Sequence, residues 1–138
     1  MRIGTSLAAA SFLATATFAQ AGSYSSQYQV TITNISKGVS FTPFIGATHK
    51  RAWSLFALGE PATDEVAQIA EAGNTQPLYD LLAGAKGTYD IVQTEGLLMP
   101  GNSVSFNIET PINKLFRSQF SLAAMLLPTN DTFVSLNG

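Results

Sequence analysis

Apolar and polar residues alternate at both ends of this chain and switch to helical spacing in the middle. Tyr28, Val30 and Ile32 are interleaved with Gln29, Thr31 and Thr33, a period of two that predicts a half-buried strand. Asn34 to Gly38 has turn composition. Val39, Phe41 and Ile45 predict a second extended run, which Pro43 confines to a sheet edge or an irregular stretch because proline cannot donate to a ladder. Thr63 followed by Asp64 and Glu65 is a helix start, with Val66, Ile69 and Ala70 on one face and Gly73 at the stop. Thr75 and Pro77 repeat the start signal, Leu78, Leu81 and Leu82 share a face, and Gly84 ends the segment. Two short helices are expected, Asp64 to Ala72 and Gln76 to Ala83, joined by Gly73 and Asn74.

Strand character returns with Tyr89 to Val92. After the turn signal Pro100-Gly101-Asn102, Val104, Phe106 and Ile108 alternate with Ser103, Ser105 and Asn107. Phe120 to Leu127 is almost entirely apolar and predicts a strand buried on both faces. Phe133-Val134 is a last short extended piece. Strands at both ends with helices between them predict a mostly β fold, an antiparallel β-sandwich with a short two-helix insertion.

The N-terminus changes the picture of where this domain works. Met1-Arg2 precedes an uncharged run from Ile3 to Phe18, and Ala19-Gln20-Ala21 matches an A-x-A cleavage box. These are the parts of a secretory signal peptide over residues 1–21, cut before Gly22. The run is interrupted by Ser and Thr and is short for a membrane span. Residues 22–27 are a polar, flexible lead-in, and 28–138 form one domain. The expected location is secreted or periplasmic, with no membrane span in the mature chain.

Removing Arg2 leaves six Lys and Arg against nine Asp and Glu, a net charge near −3. The sequence holds no basic stripe, which argues against nucleic acid as a partner. With no cysteine, disulfides, thiol nucleophiles and thiolate zinc sites are excluded, and the fold rests on packing alone. Export without disulfides suits a bacterial protein.

Candidate chemistry is sparse. The single histidine, His49 in Ala47-Thr48-His49-Lys50-Arg51, can be a general base beside a serine and an acid, or can order its own segment near Trp53 or Phe56. The second reading is preferred, since the chain has no G-x-S-x-G elbow. Gly84-Ala85-Lys86-Gly87 lacks phosphate-loop spacing and reads as a linker. Glu109 follows the Val104 strand and Asp131 follows the apolar strand. Carboxylates on neighbouring loops of one rim can hold a hard cation such as Ca²⁺, but spacing alone favours two solvated acids. The Asn34-Ile35-Ser36 and Asn130-Asp131-Thr132 sequons are read as chance in a bacterial chain.

Met125-Leu126-Leu127-Pro128-Thr129-Asn130-Asp131-Thr132-Phe133-Val134 resembles the spondin N-terminal domain family, found in F-spondin, mindin and short exported bacterial proteins. Tyr28 to Thr33 resembles its opening strand, and Gly46-Ala47-Thr48-His49 with Trp53 its small-residue, His and Trp segment. The resemblance runs from about Tyr28 to Gly138. It implies a C2-like β-sandwich that binds a divalent cation, usually calcium, and in animal members adhesion and matrix binding. The metal carboxylates would fall on Asp131, by motif, and on Glu109, by alignment across a loop of different length. The family pattern continues past this point to a third carboxylate, and Asn137 stands where animal members have Asp. A weak calcium site and an open sheet edge prone to self-association are therefore expected, with Asn130 or Asn137 available to add a carbonyl.

The function expected is a secreted, non-enzymatic binding or adhesion module for an extracellular protein or glycan. The alternatives are a small secreted hydrolase using His49 with an acid, and a structural subunit assembling by strand addition.

Overall fold

The computed structural model describes residues 24–138. The signal peptide expected over residues 1–21 lies outside the described residues. Seven strands, two α-helices and one 3₁₀ turn follow in the order β1 (Ser25–Thr33), β2 (Ser40–Phe41), β3 (Ile45–Lys50), α1 (Asp64–Ala72), α2 (Gln76–Gly84), β4 (Thr88–Gln93), β5 (Ser103–Pro111), a 3₁₀ turn (Ile112–Arg117), β6 (Ser118–Leu127) and β7 (Phe133–Leu136). All ladders between these strands are antiparallel. The fold is the expected mostly β sandwich with two helices inserted. No described helix is long and apolar enough to cross a membrane.

One layer is the ribbon β1–β5, paired from Ser25 opposite Pro111 to Thr33 opposite Ser103. The other has five strands: β6 pairs with β3, β2 and β7, and β4 pairs with β3. The ribbon begins three residues earlier than its alternation predicts. Ser25 to Gln27 belong to β1 rather than to a flexible lead-in, because they find partners in Glu109 to Pro111.

β6 is the strand around which both layers form. Ala123 packs with Ile45 and Ala47 against Val66, Ile69, Leu78 and Leu82 of the helices. Its neighbour Ala124 packs with Phe44 and Leu98, joined by Ile32 and Val104 of the ribbon. Successive side chains of a strand point to opposite faces, so these adjacent alanines enter two different cores. Both are small because each face is covered closely. At Gly46, beside β6, a Cβ would lie 3.0 Å from Cε2 of Phe120 and 3.3 Å from Cγ1 of Val92, so glycine leaves space for the Phe120 ring, whose centroid is 6.4 Å from that of Phe106 across the layers.

The helices follow their sequence signals closely. Thr63 accepts a hydrogen bond from Val66 N–H, and Gly73 ends α1 at φ 64°, a left-handed turn that favours glycine. The second start differs in detail: Thr75 makes no cap bond. Asn74 Oδ1 accepts from Gln76 N–H instead, while Thr75 Oγ1 accepts from Gln93 Nε2. Pro43 stands in an irregular stretch, as expected, and divides the Val39 to Ile45 run into β2, at the end of the sheet path, and β3, which is an inner strand between β6 and β4. Thr42 accommodates the break, its N–H donating to Met125 O and its hydroxyl oxygen accepting from Met125 N–H.

Ala124 is fully buried. Ala124→Asp places an unpaired carboxylate between the layers at a cost of several kcal/mol, comparable with a typical domain stability of about 5–15 kcal/mol. The expected outcome is loss of the cooperative thermal transition by circular dichroism; a variant melting near the parent temperature would contradict the two-sided burial of β6.

Candidate functional site

His49 is next to last in β3 and only 1% exposed. Its inward direction follows from the pleat, since Ala47, two residues earlier, enters the core under the helices. Nδ1 lies 3.0 Å from Lys50 O. A carbonyl only accepts, so Nδ1 carries the proton, and in the neutral ring Nε2 accepts from the Ser121 hydroxyl at 2.8 Å. The Ser121 oxygen in turn accepts from Gly138 N–H at 3.0 Å. Trp53 meets the imidazole edge-on, with centroids 4.6 Å apart. One relay of hydrogen bonds thus joins the end of β3, the middle of β6 and the residues after β7.

This arrangement contains a serine hydroxyl and an imidazole at the spacing of a nucleophile and its base. Two features set it apart from a hydrolytic site. The ring is oriented by a backbone carbonyl in the place where a triad has a carboxylate. Ser121, at 3% exposure, is also closed over. Ser121 was not singled out from the sequence. Its signal is a lone polar residue inside the apolar Phe120 to Leu127 run, on the face that His49 shares.

The two expected cation ligands are placed far apart. Glu109 lies within β5 rather than after it. Its backbone fastens the ribbon to the sheet: its N–H donates to Asp90 Oδ2 at 2.8 Å, and its carbonyl accepts from Thr48 Oγ1 at 2.6 Å. Its exposed carboxylate accepts from Ser25 Oγ at 2.7 Å and from Gln27 Nε2 at 3.4 Å. Asp131 lies in the loop between β6 and β7, exposed, with Thr132 Oγ1 3.4 Å from its Oδ1. Thr48 stands opposite Phe120, near the start of β6, whereas Leu126 N–H bonds Thr132 O at its other end. At about 3.3 Å per residue the strand positions that the two residues adjoin are roughly 20 Å apart.

The structure therefore does not bring Glu109 and Asp131 to one rim, and one Ca²⁺ ion cannot bridge them at ligand distances of roughly 2.3–2.6 Å. The reason is chain direction. β5 runs down the sandwich and β6 runs back up, so the end of one is level with the beginning of the other. Among the described residues, no three His, Asp or Glu side chains gather as a metal site. Asn137 is also engaged: Oδ1 accepts from Leu55 N–H at 2.7 Å and Nδ2 donates to Phe56 O at 2.9 Å, which pins the segment after β3 to the end of β7.

Between the lower ribbon and the start of β6 is an open cleft of about 350 Å³. Tyr28, Val30, Ile108, Leu115 and Phe120 form its apolar lining, with Thr48 and Thr110 among its polar residues. Its lining carries no charged side chain. No motif marks it, because its lining comes from β1, β3, β5, the 3₁₀ turn and β6, which are scattered along the chain.

A calcium titration tests the separation of the carboxylates. Glu109→Gln and Asp131→Asn are expected to leave the calorimetric heat of the parent protein unchanged or to alter it independently. A heat abolished by each of the two substitutions made singly would show a shared site.

The comparisons with known proteins agree with this architecture. No curated protein matches the chain. The family model described as Spondin_N matches residues 16–138. That span contains the ribbon, the five-stranded sheet and both helices, and the chain belongs to the spondin N-terminal domain family.

Proposed function

We propose that the protein is an exported, non-enzymatic binding module that acts through its outer surface. The family is one of non-catalytic extracellular domains, and the export leader supports the same location. The observation that carries the reading is the closed pair His49 and Ser121. It is where a nucleophile and a base come together, and both side chains are spent on structure. Catalysis by this pair needs a substrate carbonyl beside Ser121 Oγ, a place occupied by the packed interior. A role in adhesion fits a rigid sandwich presenting loops and edges at its surface. Calcium held jointly by Glu109 and Asp131 is not part of the proposal, given their separation.

One mass measurement tests both parts of this reading. Exported protein is treated with a fluorophosphonate serine-hydrolase probe and its intact mass determined. The expected species begins at Gly22 and carries no adduct. A species retaining Met1 contradicts export with cleavage, and an adduct lost in Ser121→Ala contradicts the non-enzymatic reading.

A further inference from the structure

The cations of this acidic protein are not spread evenly over it. Residues 24–138 hold six Lys and Arg, and five of them, Lys50, Arg51, Lys86, Lys114 and Arg117, meet at one end of the sandwich. Backbone contacts bring their three segments together. Lys50 stands opposite Ser118, Arg51 N–H donates to Arg117 O at 3.2 Å, and Lys50 N–H donates to Gly87 O at 2.8 Å, beside Lys86. All five side chains are exposed. Hydrogen bonds place two acids near this end, Asp90 and Glu109, both already engaged: Asp90 accepts from the N–H groups of Ile91 and Glu109, and Glu109 from Ser25 and Gln27. The other seven acids lie on α1, α2 and the loops.

The same turn that carries Lys114 and Arg117 carries two apolar side chains in solvent. Phe116 is 95% exposed and Ile112 47%. Its remaining apolar side chain, Leu115, lines the cleft. The turn thus anchors itself through Leu115 and presents Phe116 between cations.

We propose that this rim docks on an anionic phospholipid surface, with the five cations over the headgroup phosphates and Phe116 and Ile112 entering the interfacial zone. Basic residues near an anionic leaflet add attraction that is lost within a Debye length. Apolar side chains on the same face are buried at the headgroup boundary. The excess of acids elsewhere makes the molecule electrically lopsided, which orients the basic rim toward the membrane as it approaches. A polyanion in solution accounts for the cations but not for the aliphatic Ile112, which has no base or ring on which to stack, whereas a bilayer interface takes both apolar side chains. The proposal deepens the reading of a non-enzymatic binding module and names the class of surface it engages.

The test is co-sedimentation of the exported protein, which begins at Gly22, with vesicles of phosphatidylcholine alone, or with about a third phosphatidylglycerol, at low ionic strength. The variants differ from the parent only at the rim, so differences among them report the rim. Binding is expected to the anionic vesicles only and to decline with added salt. Lys114→Glu with Arg117→Glu should weaken it roughly tenfold or more. Phe116→Ser should weaken it several-fold while leaving any binding to inorganic polyphosphate, which has no base on which the ring can stack, unchanged. The replaced side chains are exposed, so parent-like melting confirms that each variant is folded. Equal binding to neutral vesicles, no binding to either, or anionic binding indifferent to Phe116→Ser would overturn the proposal, the last pointing to a general polyanion site. Its failure leaves the non-enzymatic reading standing, since that is read by the intact mass after probe treatment.

Discussion

The structure depends on β6 being covered on both faces. A strand between two layers must send alternate side chains into two separate cores, and Ala123 and Ala124 do so one residue apart. Everything around it follows from that demand. The helices supply Ile69, Leu78 and Leu82 to one side, and the ribbon supplies Ile32 and Val104 to the other. Small residues at Ala123, Ala124 and Gly46 set how closely the layers approach. Without disulfides, this two-sided burial and the polar fastenings across it hold the domain together.

Those fastenings engage the groups with chemical potential in holding the layers together. His49 and Ser121 tie β3 to β6 and to the residues after β7. Thr48 and Asp90 tie the sheet to the ribbon through the backbone of Glu109. Asn137 does the same for the segment at Leu55 and Phe56. Asn34, 1% exposed, donates to Val39 O and Leu98 O and joins two loops at the opposite end. Asn34, Thr48, His49 and Ser121 are buried, and a buried polar group left unpaired is costly, so these four side chains are committed to their partners. The basic rim and the uncharged cleft lie on the outside of the molecule.

The helices were legible in the sequence because their signals are local. Thr63, Gly73 and Pro77 act on backbone groups within a turn, and the apolar spacing sits on top of them. β5 and β6 were legible for a similar reason, since alternation and uniform apolarity report how many faces of a strand are covered. The position of β3 was not legible. Pro43 argues locally for an edge, but the strand resumes at Ile45 beyond the break and becomes an inner one. Nor was the separation of Glu109 from Asp131, which depends on the 3₁₀ turn returning the chain in the opposite direction. The basic rim is the clearest case. Its cations are scattered from position 50 to 117, and only the pairing of β3 with β6 and the turn at Gly87 assemble them. The pairing of His49 with Ser121 lay between these extremes, because both residues are marked by type while their register is set by the sheet.

The lone histidine and its serine form a structural clasp within this two-sided core. A double-mutant cycle on His49→Ala and Ser121→Ala, followed by urea unfolding, tests it most directly. Contacting residues in one hydrogen-bonded network typically couple by about 0.5–3 kcal/mol. Each single substitution is expected to be destabilising, and the double variant to lose less than the sum of the two. Stabilities that add within a few tenths of a kcal/mol, or a His49→Ala protein as stable as its parent, would contradict it.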